Sequence, residues 1–221
     1  MSSRCAALLL LAALAAGPRA HAQVDPRVQA SAGMGVCWLG ASDIADLANQ
    51  ASTGGERVSE FTSAVIFAGT VTVPLSADWG VGLDYGYVVA SYTSQGFFGL
   101  NDFTMKVHTP TLVAFYTLVR EKTYAVRAGA GAGYHVGKLD QKIGTLENSF
   151  DAAGPGFLAM LDAQTAFSDD FFGTITGEVR WDGLGDLTND SGQSPGIATG
   201  GPPPQMQFFS VGIRFGFAYH F

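Results

Sequence analysis

The sequence predicts an all-β fold, an eight-stranded antiparallel up-and-down transmembrane β-barrel. Three observations lead to this prediction. Eight segments alternate between large apolar residues and small or polar residues, with the period of two that a strand with two different faces requires. The connections between these segments alternate between long and short, and aromatic residues gather at both ends of the segments. The pattern is clearest in residues 207–221, where every second residue from Phe209 onward is large and apolar.

The composition agrees with a chain of this kind. Of the 221 residues, 47% are hydrophobic and only 14% are charged, and 29 are glycine. After the first 22 residues no stretch approaches about 18 consecutive apolar residues, so a transmembrane helix is not predicted. The formal net charge of -7 argues against nucleic-acid binding, which depends on basic patches.

The N-terminal residues have the features of a secretory signal peptide. Arg4 supplies a short basic region, residues 6–16 form an apolar core, and Ala20-His21-Ala22 is a small-x-small cleavage site. We therefore predict a signal peptide at residues 1–22 and an outer-membrane β-barrel domain at residues 23–221. Cys37 is the remaining cysteine of that domain, so it has no partner for an internal disulfide.

The first four predicted strands place their large apolar residues on one face. In the third, Trp79, Val81 and Leu83 alternate with Gly80 and Gly82. The polar segment between the first two strands includes a stretch, residues 44–50, that is predicted to form a turn or two of helix. The four strands run near residues 28–38, 61–73, 79–90 and 107–119.

The last four predicted strands repeat this alternation with glycine and polar residues on the second face. They run near residues 124–135, 157–167, 171–181 and 207–221. The short turns lie near residues 74–78, 120–122 and 168–170, and the long segments near residues 39–60, 92–105, 137–155 and 182–205.

Strands of roughly 9–13 residues are long enough to cross a bilayer when tilted. Because unpaired backbone groups cannot face lipid, such strands must close into a barrel. The arrangement of outer-membrane barrels then places the short turns in the periplasm and four long loops outside the cell.

Two aromatic girdles support a lipid-facing exterior. A soluble eight-stranded barrel would instead turn the aromatic face of the last strand into a lumen too small to hold it. The predicted periplasmic girdle contains Trp79, Tyr124, Phe167, Phe171, Tyr219 and Phe221, and the extracellular girdle contains Trp38, Phe61, Tyr134, Phe157, Trp181 and Phe209.

With these features the chain resembles the small outer-membrane β-barrel proteins of Gram-negative bacteria, of the OmpA transmembrane domain, OmpX and OmpW types. The resemblance covers essentially the whole chain after residue 22. It implies a cell outer-membrane location and insertion by the outer-membrane insertion machinery. That machinery would recognise the C-terminal strand through Phe215, Phe217, Tyr219 and Phe221.

Six charged residues occupy inward positions by strand parity, three acids and three bases. Isolated buried charges are costly, so we expect them to form a balanced ion-pair network that plugs the lumen. Glu178 and Arg214 lie at similar heights on adjacent strands and are predicted to pair directly. The network consists of Asp84, Arg127, Asp162, Glu178, Arg180 and Arg214.

Histidines offer a possible catalytic or metal-binding arrangement. A two-residue turn at Glu121-Lys122 would place His108 opposite His135. If Leu112 and the residues in phase with it face lipid, however, His108 points outward and the pair does not form. Ser94, His108 and Asp102 lie near one rim and could form a Ser/His/Asp catalytic arrangement, but any polar loop contains such a trio by chance. We expect no catalytic residue, metal or cofactor.

The sequence therefore favours a structural or surface-interaction role for a plugged monomeric barrel. Its expected partners are outer-membrane lipid and lipopolysaccharide. The barrel would display its four loops to lipopolysaccharide, to surfaces or to other partners. A narrow, porin-like channel for small or apolar solutes is the first alternative, and a lipid-modifying enzyme is the second.

Overall fold

A computed structural model describes residues 27–52, 57–96, 99–121, 123–195 and 203–221. The predicted signal peptide lies outside the described residues. Eight strands form one closed barrel in chain order, and every neighbouring pair, including the first and last strands, is antiparallel. The elements are β1 (Gln29–Gly40), α1 (Ser42–Gln50), β2 (Phe61–Pro74), β3 (Trp79–Gly96), β4 (Gly99–Arg120), β5 (Tyr124–Ile143), β6 (Leu146–Ala166), β7 (Phe171–Asp186) and β8 (Gln205–His220). The predicted fold is confirmed.

Closure of the sheet depends on the pairing of β1 with β8. Gln29 lies opposite His220 and Gly40 opposite Phe209, so the aromatic last strand pairs along the full length of β1. We call the end that carries the short turns and Phe221 the turn end, and the opposite end, which carries α1, the helix end. No helix among the described residues is long and apolar enough to cross a membrane.

The exterior of the barrel near the turn end is apolar, as the strand parity predicts. Outward side chains such as Leu83, Leu112 and Phe217 are more than half exposed, at 56%, 63% and 56%. Both predicted girdles lie on this outer surface, and Phe157 stacks on Trp181 in the one nearer the helix end, with ring centroids 5.7 Å apart. This surface matches a lipid environment.

Five strands, β3 to β7, extend beyond their predicted ends, because the alternation continues with its polarity reversed. On β4, Leu112 faces outward and Thr111 inward, but nearer the helix end Lys106 faces outward and Met105 is fully buried. On β5 the same reversal puts Lys138 outside and Leu139 inside. The barrel therefore extends beyond the girdle as a sheet with a polar exterior and an apolar core.

The prediction of four long loops is corrected by these extensions. Residues 92–105 belong almost wholly to β3 and β4, which pair as far as Gly96 and Gly99. Residues 137–155 belong to β5 and β6, which pair as far as Ile143 and Leu146. Two of the four segments are thus paired strands, and the segments after β1 and β7 remain connections.

The helix expected in the first connection is confirmed and packs into the mouth of the barrel. Its buried face consists of Ile44, Ala45, Leu47 and Ala48. Polar contacts attach it to the strand ends: Asn101 Nδ2 donates to the carbonyl of Ala51 at 2.8 Å, and the Gln205 backbone N–H donates to Asp43 Oδ2 at 2.9 Å. The helix therefore closes the helix end of the lumen.

Candidate functional site

The lumen is the candidate functional site, and the pleat of the strands decides which side chains enter it. Successive residues of a strand point to opposite faces. All six charged side chains predicted to point inward are found in the lumen, carried by five strands. They are Asp84 on β3, Arg127 on β5, Asp162 on β6, Glu178 and Arg180 on β7, and Arg214 on β8.

Four of the six form a compact cluster near the middle of the lumen. Arg214 Nη1 lies 3.1 Å from Asp84 Oδ2, and Arg214 Nε lies 3.1 Å from Glu178 Oε2. Asp84 also accepts a hydrogen bond of 2.7 Å from Thr70 Oγ1. Two carboxylates and two guanidinium groups balance one another, so the cluster is formally neutral.

Arg180 spans this cluster without direct hydrogen bonds. Its Nη2 is 3.7 Å from Asp84 Oδ1 and 3.7 Å from Glu178 Oε1, within ion-pair range but longer than a hydrogen bond. The guanidinium lies against the opposite wall, where a Cβ added to Gly86 would be 3.3 Å from Nη2. The absence of a side chain on Gly86 therefore makes room for a fully buried arginine that reaches across the lumen.

The remaining two charges pair nearer the turn end. Arg127 Nη2 donates to Asp162 Oδ2 at 2.7 Å, and Arg127 Nη1 donates to Gln29 Oε1 at 2.7 Å. Thr176 and Gln164 also donate to the Asp162 carboxylate, at 2.9 Å and 2.7 Å. Asp162 is thus a fully hydrogen-bonded carboxylate that orients Arg127 across the lumen.

A buried histidine–carboxylate pair was missed by the sequence prediction. His135 Nδ1 contacts Asp182 Oδ1, and His135 Nε2 lies 3.1 Å from Thr111 Oγ1. Both His135 and Asp182 are fully buried. The signal was available in the parity of β7, because Asp182 follows Arg180 by two residues, but the predicted strand ended at residue 181.

The alternative pairing of His108 with His135 is not formed. The last pair before the turn is Arg120 with Ala125, and β4 has a bulge between Thr117 and Val119. The register therefore places Val136 opposite His108. His108 faces outward, where its Nδ1 lies 2.6 Å from the Tyr85 hydroxyl.

The trio of Ser94, His108 and Asp102 is also separated by the barrel wall. Ser94 faces the lumen and is buried, whereas His108 and Asp102 face outward. Asp102 instead accepts a hydrogen bond of 2.9 Å from Thr93 Oγ1 on the neighbouring strand. Among the described residues, no group of three His, Cys, Asp or Glu side chains could hold a metal ion.

Beyond the His135–Asp182 pair the lumen is filled with apolar side chains. This apolar plug joins inward residues of the strand extensions to the buried face of α1. Its largest fully buried members include Phe103 and Met105 on β4, Leu139 on β5 and Leu47 on α1. The lumen is therefore occupied by ion pairs toward the turn end and by a packed core toward the helix end.

The outer face of the extensions is polar and carries charges of both signs. An open groove of about 520 Å³ runs across β4, β5 and β6. In it, Lys106 Nζ donates to Asp140 Oδ2 at 2.7 Å, and Ser149 donates to the other carboxylate oxygen at 2.9 Å. Hydrogen bonding and attraction to Asp140 raise the pKa of Lys106, which lies beyond the girdle.

The sequence matches no family model and no curated protein. Solved structures with a similar fold are found. Neisserial surface protein A has a TM-score of 0.54 at 11% identity, covering 88% of this chain and 97% of that chain. The outer membrane protein OprG from Pseudomonas aeruginosa has a TM-score of 0.50 at 13% identity, covering 89% and 96%.

The chain has the fold of the small outer-membrane β-barrels. The neighbours confirm the resemblance that the strand pattern predicts. Together with the apolar exterior between two aromatic girdles, this fold places the protein in the outer membrane.

Proposed function

We propose that the protein is a closed outer-membrane barrel with a structural and surface-interaction role. The observation that carries this proposal is the occupied lumen. The ion-pair cluster around Arg214 blocks it within the membrane, and the apolar plug under α1 fills it beyond the girdle. A barrel with two successive layers of side chains across its lumen has no continuous path for a solute.

The interaction surface in this proposal is the polar outer face of the strand extensions. It begins immediately beyond the lipid-facing girdle. Lys106 is the next outward residue after His108 in the direction of the helix end, and it lies opposite Lys138 on β5. Ammonium groups at this height meet the phosphate groups of lipopolysaccharide, while Asp140 and Ser149 offer polar contacts to its sugars. We further propose that the barrel is monomeric. We also propose that the outer-membrane insertion machinery recognises the C-terminal strand through Phe215, Phe217, Tyr219 and Phe221.

The proposal includes no enzymatic activity. The side chains of the one candidate trio point to opposite faces of the wall, and His135 is enclosed in the lumen with Asp182 and Thr111.

Conductance across a planar bilayer tests the closed lumen. We expect the purified protein to give no discrete current steps. Discrete steps that change when Arg214 or Glu178 is replaced by Ala would contradict the proposal and favour the narrow channel. The matched control is Arg57→Ala, because Arg57 is an exposed cation outside the strands, and its replacement would leave any current through the lumen unchanged.

A further inference from the structure

A cavity of about 90 Å³ lies inside the turn end of the barrel. Residues of every strand except β7 line it, and we call it the vestibule. A cavity of this volume holds several water molecules, which is enough room for a small oxyanion. The vestibule is accessible from the turn end, where the side chain of the lining residue Arg27 is 46% exposed.

The lining of the vestibule is basic. It includes Arg27, Arg120, Arg127 and His220, and none of the described residues that line it is acidic. The lining therefore presents a positive charge to whatever enters.

Only part of this charge is neutralised by residues behind the lining. Arg127 is paired with Asp162 and Arg27 with Asp170. Arg120, in contrast, donates one hydrogen bond of 3.1 Å, to the neutral Thr117 hydroxyl of its own strand. Among the described residues Arg120 has no carboxylate partner, so its charge is available to a ligand.

Further polar groups in the lining are held in place. Gln29 is 5% exposed and accepts a hydrogen bond from Arg127. The Nε2 atom of His220 is buried and has no hydrogen-bond partner among the described residues, while the His220 ring stacks on Phe172 with centroids 4.3 Å apart. Fixed donors around a small space are the arrangement that binds an anion with little loss of conformational entropy.

The vestibule is closed toward the middle of the barrel. Phe115 is buried at its inner end, and the Arg127 guanidinium lies over the Phe115 ring at 4.9 Å from the centroid. A ligand that enters from the turn end therefore leaves by the same route. The vestibule is therefore a pocket and not a segment of a pore, a conclusion that rests on the closed lumen of the proposed function.

We propose that the vestibule binds a phosphate-class oxyanion between Arg120, Arg127 and His220. Guanidinium groups suit this class because their planar N–H forks match two oxygens of a phosphate. The ligand is either soluble phosphate or the phosphate of a lipid headgroup that reaches in from the membrane edge. The predicted orientation makes this the periplasmic side of the membrane.

Isothermal titration calorimetry of the refolded protein provides the test, because it needs no reporter side chain inside the vestibule. Sodium phosphate is titrated in at constant ionic strength, with chloride as the exchanged salt. We expect a saturable heat of binding. Arg120→Gln should raise the Kd for phosphate roughly tenfold, because one charge-assisted hydrogen bond is lost.

The matched control is Arg57→Gln, which removes the same charge from an exposed position outside the vestibule and should leave the Kd unchanged. A signal that does not saturate, or equal weakening by Arg57→Gln, would overturn the proposal. Faster gel migration before heating verifies that each variant is folded. If Arg120→Gln does not fold, Arg27→Gln replaces it, with a smaller rise in Kd expected because Arg27 is already paired with Asp170.

Two lipid compositions identify the source of the phosphate. The same titration is made in vesicles of zwitterionic lipid and in vesicles that also contain phosphatidylglycerol. A higher apparent Kd in the anionic vesicles would show competition by headgroups and assign the pocket to a lipid phosphate. An equal Kd would assign it to soluble phosphate, and no saturation in either composition would refute both.

Discussion

The two halves of the barrel have opposite polarity on strands that run through both. In the half that contains the turn end, β4 turns Leu112 toward lipid and Thr111 toward the lumen. In the half beyond the girdle, the same strand turns Lys106 toward solvent and Met105 toward the lumen. The first half has the inverted pattern of a membrane barrel, and the second has the pattern of a soluble one.

This difference shows that backbone pairing and polarity are specified separately. The hydrogen-bonded ladder of β4 and β5 continues past the girdle to Asn101 and Ile143, while the medium outside changes from lipid to water. Because the medium decides which face must be apolar, the lumen is filled by ion pairs in one half and by a packed core in the other. The two fillings should respond differently to substitution.

The largest effect is expected for Arg214→Met in the ion-paired half. The variant leaves Asp84 and Glu178 with Arg180 as their remaining cation, at 3.7 Å from each. Breaking a buried ion pair by removing one partner typically costs about 3–5 kcal/mol. The free energy of unfolding, measured by urea titration of the protein in lipid vesicles, should fall by that amount.

Arg27→Met is the matched control, since Arg27 and Asp170 also form an ion pair but their side chains are 46% and 43% exposed. An exposed pair contributes less than about 1 kcal/mol. Equal losses for Arg214→Met and Arg27→Met would show that burial does not set the cost, and the comparison between the halves would fail.

The membrane half could be predicted from the sequence almost completely. Strand number, closure and the inward set of charges all follow from parity, because lipid enforces one polarity on every strand. The reversal beyond the girdle was missed for the same reason. The prediction assumed an apolar outer face along the whole strand, so polar residues such as Lys138 and Asp140 were assigned to a loop. They nevertheless alternate with buried Leu139.

The candidate site was less predictable than the fold. Parity places Arg214 and Glu178 on one side of the wall, but the bulge near Thr117 has no clear sequence signal, and it decides the neighbours of His108. The vestibule could not have been found, since it depends on how the tilt of the strands brings residues as distant in sequence as Arg120 and His220 to one height.

An intermediate effect is expected in the apolar half for Leu47→Ala. Leu47 is fully buried in the plug, and Leu→Ala substitutions in a core cost about 2–5 kcal/mol. We expect about 2–3 kcal/mol, because α1 can detach without opening the barrel. Hydrogen exchange followed by mass spectrometry should show faster exchange of the amides in residues 42–50, with the membrane strands unchanged.

Asp46→Ala is the control on the exposed face of the same helix. It should leave the exchange of α1 nearly unchanged. If both variants exposed the helix equally, the attachment of α1 would depend on its own stability and not on the apolar plug.

The smallest effect is expected at the boundary between the two halves, for Gly156→Ala. A Cβ on Gly156 would collide with the imidazole of His135, which Asp182 and Thr111 hold from both sides. Overpacking in a well-packed interior typically costs about 1–3 kcal/mol. We expect about 1–2 kcal/mol in the same urea titration, since one methyl group is small and the backbone can shift.

Gly177 provides the matched comparison on the neighbouring strand, because it faces outward and a Cβ there would meet nothing within 4 Å. Gly177→Ala should be neutral or slightly stabilising, since alanine loses less backbone entropy than glycine on folding. A neutral Gly156→Ala would mean that His135 can leave its position between Asp182 and Thr111. The side chains at the boundary would then be mobile, and the idea that a rigid layer separates the charged half from the apolar half would have to be abandoned.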